Sequence, residues 1–229
     1  IDPRDGLVVS VPPATRRGWA HPESRIEAFL REREGWVVRH LGNLARDREA
    51  ARSRGGARDG GQVLYRGALH RVRVRPDAVR GRRSVVERIG GDEEDELVIS
   101  LATADRRPLE RILEDWLRDR ASEAIHAAIG AHAAELGVRP VKVDVWDPTS
   151  RWGSASRKGR LMFSWRLVLA PPASLESVVV HELAHLRVFG HGSPFWALVA
   201  SRHPTHLKDR AWLRRNSHAL HAALDPVDA

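Results

Sequence analysis

The 229-residue chain has 42% hydrophobic and 30% charged residues, an ordinary balance for a soluble globular protein, and enough length for one large domain or two small ones. It contains no cysteine, which excludes disulfides and thiolate metal sites and leaves histidine and carboxylate as the strong ligands. The net charge of +8 rests on arginine, since only Lys142, Lys158 and Lys208 among 38 basic residues are lysine; with abundant alanine, this is the composition expected of a GC-rich, bacterial genome.

From the N-terminus, Leu7 to Val11 reads as a short strand stopped by Pro12-Pro13. The sequence starts at Ile1 rather than methionine, which points to truncation or processing. Ile26, Phe29, Leu30, Trp36, Val37 and Leu41 recur at helical spacing and predict a helix from Pro22 to Arg48. Residues 49–61 lack an apolar face and are rich in glycine, as a linker loop would be. Val63 to Val74 predicts a hairpin turning at Arg66-Gly67, and Ser84 to Ile89 and Leu97 to Leu101 predict two more strands. The acidic run Asp92 to Glu96 between them offers no ligand geometry and reads as a solvated tip.

Pro108 to Leu136 is the longest expected helix, with an apolar stripe from Leu109 through Leu113, Leu117 and Ile125 and Gly137 as its C-cap. His126 and His132 on it are six apart, do not share a face, and are read as structural. Val141 to Trp146 and Leu161 to Leu167 predict strands joined through a turn at residues 152–156. After Phe195-Trp196 the chain reads as helical through Leu198, Trp212, Leu213 and Leu220. His203, His206, His218 and His221 lack a carboxylate partner and are expected to face solvent. His206 or Asp209 is the candidate to orient a metal-binding imidazole.

The chemistry concentrates in Val178-Val179-Val180-His181-Glu182-Leu183-Ala184-His185. On a helix, H-E-x-x-H sets two imidazoles one above the other, with the glutamate about 100° further round. The surrounding residues are almost all apolar, which predicts a buried helix. Each polar group inside it would cost about 1–3 kcal/mol if unpaired, and one metal ion satisfies all of them. A strand would put His181 and His185 about 13 Å apart, so the metal reading requires the helix. Gly190 ends the helix, Ser193 and Pro194 open the next one as N-cap and first residue, and His191 in between is the candidate third ligand. Its distance from His185 matches the third histidine of the metzincins, but the glycine of that pattern falls at Val188, so the chain is not a metzincin.

Five blocks now stand in one order: Trp152-Gly153-Ser154-Ala155-Ser156; Gly159-Arg160-Leu161; Ser164 through Pro172; Val178 through His185; and His191 with Phe195-Trp196. This order resembles the YgjP-like zinc metallopeptidases, relatives of the SprT-like and WLM proteins, and Leu7 to Pro13 looks like that family's N-terminal region. The resemblance is dense over residues 150–200 and looser elsewhere. The family often reads W-G-S-C-S, and Ala155 stands here where its cysteine would be, so any role of that thiol is lost.

The resemblance implies an α+β fold: a zincin-like catalytic domain over residues 106–229, its HExxH helix packed on helices and a small sheet. A β-rich region with one helix precedes it over residues 1–105. It also implies one Zn2+ per chain and a protein or peptide substrate held by strand 160–167 as an edge. The expected ligands are His181, His185 and His191, with Glu182 as general base. Arg151, Trp152, Gly153, Ser154 and Arg166 are the candidates to bind substrate or its oxyanion. Three alternatives stay open: hydrolysis of a nucleoside triphosphate, a SprT-like protease acting on DNA-bound proteins, and a non-catalytic module with structural zinc. The excess of 11 basic over 5 acidic residues in 151–229 suits nucleic acid or acidic substrates, but no motif of a nucleic-acid-binding module is present. No run approaches the roughly 18 apolar residues of a membrane span, and no signal-peptide pattern opens the sequence, so a cytoplasmic location without membrane contact is expected.

Overall fold

The computed structural model describes residues 6–13, 15–17, 19, 21–90 and 95–224. Helix α1 (Glu23–Ser53) is followed by strands β1 (Gln62–Tyr65), β2 (Ala68–Val79), β3 (Val85–Ile89) and β4 (Glu96–Ala102). Helix α2 (Leu109–His132) leads into β5 (Lys142–Trp146), β6 (Gly153–Ala155) and β7 (Arg160–Ser164). A 3-10 segment (Trp165–Leu169) and helices α3 (Pro172–His185), α4 (Ser193–Arg202) and α5 (His206–His221) complete an α+β architecture.

The first sheet has the order β1-β2-β4-β3. The hairpin turns where expected, with positive φ at both Arg66 (53°) and Gly67 (83°), the backbone of a two-residue I′ turn. Its tip is tied to the 3-10 segment, because the N–H groups of Arg66 and Gly67 donate to the carbonyls of Val168 and Leu169, each at 2.9 Å. β2 pairs in parallel with β4, and the register shifts between Arg75 and Val79, where Pro76 has no N–H to give the ladder. In the second sheet, β7 lies between β5 and β6.

That order corrects the expected substrate edge. β7 is paired on both sides, and the backbone leaves strand conformation at Trp165. Residues 165–169 are buried at every position rather than at alternate ones, so the segment fits a tight helical turn; Ser164 Oγ accepts from the Arg166 N–H at 3.3 Å. The free edge next to α3 is β6. Leu7 to Val11 is also corrected: no strand forms there, and these residues are exposed, with no strand partner among the described residues. Helix α1 runs five residues beyond its expected end at Arg48, into the expected linker. Of the acidic run, residues 92–94 lie outside the described residues, while Asp95 pairs with Arg88 at 2.7 Å and Glu96 with Arg73 at 2.8 Å.

One hydrophobic core joins Val63, Val72, Leu97 and Ile99 of the first sheet to Leu113, Leu117 and Ile125 of α2. It continues through Trp165, Leu169, Val179 and Leu183, crossing the 105/106 boundary without a break. Helix α2 supports α3 directly, with Nε2 of His132 2.6 Å from Glu176, and just beyond the two helices Arg187 donates to the Leu136 carbonyl at 3.1 Å. No helix among the described residues is long and apolar enough to cross a membrane.

Candidate active site

The valine run of α3 is helical despite its β-branched residues, because tertiary burial outweighs propensity; Val179, Val180, Leu183 and Ala184 are buried. His181 and His185 leave the helix one turn apart on the same face. The helix ends at His185, earlier than Gly190, and Gly190 instead adopts φ +92° at the chain reversal, a conformation suited to glycine. Helix α4 starts at Ser193 with Gly192 as its cap, one residue before the expected boundary.

The reversal brings His191 back over α3. Its Nε2 lies 3.2 Å from Nε2 of His181 and 3.2 Å from Nε2 of His185. Ligand atoms of all three lie within 4.8 Å of one another, and no second such group occurs among the described residues. A tetrahedral zinc with Zn–N of about 2.05 Å places its nitrogens about 3.3 Å apart, and the two separations from His191 match that spacing. Nδ1 of His185 faces the Val188 carbonyl at 3.4 Å; a proton there leaves the Nε2 lone pair turned to the centre. Burial, then the charges of His185 and His191, push His181 down to about 3, and burial also lowers His185. Both are thereby held in the neutral form that a metal needs.

Aromatic rings hold the imidazoles in place. Phe195, fully buried, stacks on His185 with centroids 4.4 Å apart, and Trp196 stacks on His191 at 5.6 Å. Glu182 is buried on the neighbouring face, where desolvation raises its carboxyl to about 7 against the opposing charge of Arg151. It packs against Gly153 of β6 so closely that a β-carbon there would lie 2.8 Å from its Cγ and Oε1.

The profile of the YgjP-like, metallopeptidase domain family matches residues 1–216. The protein belongs to this family. No curated protein and no solved structure gives a significant match. Membership places it among the metallopeptidases, hydrolases whose substrates are proteins or peptides, and the histidine triad is where a metal ion can be held.

In this YgjP-like protein, Trp152 and Gly153 line a cavity of about 590 Å³ that also touches His181 and Glu182. Ser154 lies on β6 opposite Met162, and exposed Arg151 acts on Glu182 through its charge. Arg166 is placed elsewhere. It is buried, donates to Asp147 at 2.8 Å, and donates to the carbonyls of Leu220 and His221 at 3.1 and 2.8 Å. Its role is to pin the end of α5.

The C-terminal histidines do not face solvent as expected. His203, His206 and His221 are buried; His203 pairs with Asp209 at 2.9 Å, His206 stacks on Trp196 at 5.7 Å, and His221 stacks on Trp152 at 5.3 Å. Asp209 binds Ser174, His203 and Thr205 rather than a ligand imidazole. His206 stacks on the same Trp196 ring that stacks on His191. Sequence reasoning missed the stacking of Phe195 and Trp196 on the histidine triad and the place of Arg210 and Arg214 of α5 in the cavity wall. The α5 pair was detectable as two arginines one turn apart, but nothing local says which wall they face.

Proposed function

We propose that the protein is a zinc-dependent peptidase in which His181, His185 and His191 hold the ion and Glu182 is the general base. The observation that carries this reading is the convergence of three Nε2 atoms beside a buried carboxyl on the next residue of α3. Zinc in such a triad supplies Lewis acidity and lowers the pKa of a water from about 16 to about 7. Glu182 takes the proton of the attacking water and passes it to the departing amine.

The open edge of β6 is the substrate shelf in this reading. The Trp152 carbonyl accepts from Ser164 and the Ser156 N–H donates to Arg160, both at 2.9 Å. By the alternation of an antiparallel ladder, the peptide groups of Gly153 and Ala155 then face away from β7. An extended peptide can pair there, and the Gly153 N–H and Arg151 are the donors proposed for the carbonyl oxygen as it gains charge.

The test is elemental analysis of untagged protein together with proteolysis of an unfolded substrate. Wild type should hold about one zinc per molecule, as catalytic sites of this kind do, and His191→Ala should lose it. Glu182→Gln should keep the zinc and lose about 10²–10⁴-fold in turnover. Full activity in Glu182→Gln would sink the assignment.

A second reading, hydrolysis of a nucleoside triphosphate by the same centre, is favoured by the two indoles and two guanidiniums that line the cavity. Indoles stack on bases and arginines pair with phosphates. Phosphate or pyrophosphate release that depends on Glu182, without proteolysis, would select it.

A further inference from the structure

Helix α5 turns one stripe toward the cavity: Arg210, Arg214 and Ser217, at intervals of four and three residues, together with Leu207 and Leu213. Lys208 and Arg215 of the same helix lie off it, so two of the helix's cations line the cavity and two do not. Neither Arg210 nor Arg214 pairs with a carboxylate among the described residues. Arg210 is nonetheless positioned, with its guanidinium carbon 5.4 Å from the centroid of the Trp196 ring, and Trp196 is itself stacked on His191. The remaining wall is largely apolar, from Trp152, Trp196, Val178 and Val199, and Glu182 is its only acidic residue among the described residues.

We infer that this cavity is a specificity subsite in which Arg210 and Arg214 select a carboxylate on the substrate residue beside the scissile bond. The inference rests on the peptidase reading. A glutamate side chain lays its methylenes on the indole and valine wall and meets the guanidiniums, which bind carboxylates through paired, charge-assisted hydrogen bonds. A neutral isostere loses that charge assistance, and a lysine meets two like charges. The free α-carboxylate at the end of a peptide presents the same chemistry and is the second source.

The experiment uses full-length, zinc-loaded protein and quenched fluorescent peptides that differ only beside the cleaved bond, with Glu, Gln or Lys there. A parallel pair carries a free acid or an amide at a peptide terminus one residue beyond the bond. The Glu peptide should exceed the Gln peptide in kcat/KM by on the order of tenfold or more, with Lys below both. A preference that follows the free acid instead assigns the subsite to the peptide terminus and keeps its chemistry. Arg210→Gln and Arg214→Gln should bring the Glu:Gln ratio toward one at unchanged zinc content. Arg214→Glu should favour Lys over Glu, an inversion that a merely structural arginine would not produce. Calorimetric binding of the same peptides to Glu182→Gln should give the same order without turnover. Equal cleavage of all peptides by wild type would overturn the inference and leave the peptidase standing. Hydrolysis of a nucleoside triphosphate with no peptide cut would overturn both.

Discussion

A β-carbon at residue 153 would lie 2.8 Å from both Cγ and Oε1 of Glu182, and 3.1 Å from its Cδ. Contacts that short do not persist, so either the strand or the carboxyl must move. The carboxyl is the end of a side chain and β6 is held by its ladder, so Glu182 yields. A displacement of about 1 Å in a catalytic group costs on the order of 10²-fold in rate. Gly153→Ala should therefore lose about that much in kcat while keeping its zinc, since the three atoms nearest the new methyl all belong to Glu182. Steady-state kinetics with metal analysis on the same preparation checks this. A variant with full activity would show that the contact does not set the position of the base.

Between elements, the join that matters most is the β1–β2 turn against the start of α3. Gly67 sits at φ +83°, and a β-carbon there would meet Pro171 at 2.8–3.1 Å. Gly60 has a similar φ of +76° but open space around it. Gly60→Ala should show backbone strain alone, about 1 kcal/mol or somewhat more, and Gly67→Ala should cost more because Pro171 is in the way. Urea midpoints of the two variants test the difference, and equal losses would mean that the turn can lift off α3. Asp105 makes a comparable join, accepting the Ser84 N–H at 2.9 Å and the Arg107 guanidinium at 2.7 and 3.0 Å. Arg107 first, then the Ser84 N–H, holds its carboxyl far below the usual range. A carboxyl lowered in the folded state stabilises fully above its unfolded pKa of about 3.9, and that contribution fades as pH falls toward the folded value. Asp105→Asn should therefore be less stable than wild type at neutral pH, with the gap narrowing below pH of about 4; denaturant midpoints measured across pH give the result. The hairpin was legible in the sequence because Arg66-Gly67 sits between two apolar runs, and α2 was legible from its stripe. The parallel pairing of β2 with β4 was not, since a ladder between strands distant in sequence leaves no local mark. Residues 165–169 misled for a different reason: an apolar run of five suits a buried strand and a buried turn equally. The triad was legible because its spacing is itself the geometry, whereas the burial of His203, His206 and His221 depends on which helix α5 packs against.

Across the whole molecule, the helix that carries His181 and His185 shares a core with the first sheet, and this has a consequence for unfolding. His181 and His185 sit on α3, whose Val179 and Leu183 pack in the same cluster as Leu97 and Ile99 of β4. A ligand that binds only the folded triad stabilises everything that unfolds with it. With free zinc at about 100 times its Kd the gain is about 2.7 kcal/mol; at roughly 2–4 °C per kcal/mol for a protein of this size, the Tm should rise by roughly 5–10 °C. His191→Ala should show little of that rise. Far-UV dichroism reports on both sheets and all helices, and indole fluorescence reports on tryptophans from Trp36 on α1 to Trp212 on α5. The two signals should change together, with and without zinc, because α3 and β4 contribute to one hydrophobic cluster. Two separated transitions, only the second moved by zinc, would instead mean that the core divides near residue 105 and that the metal stabilises the catalytic part alone.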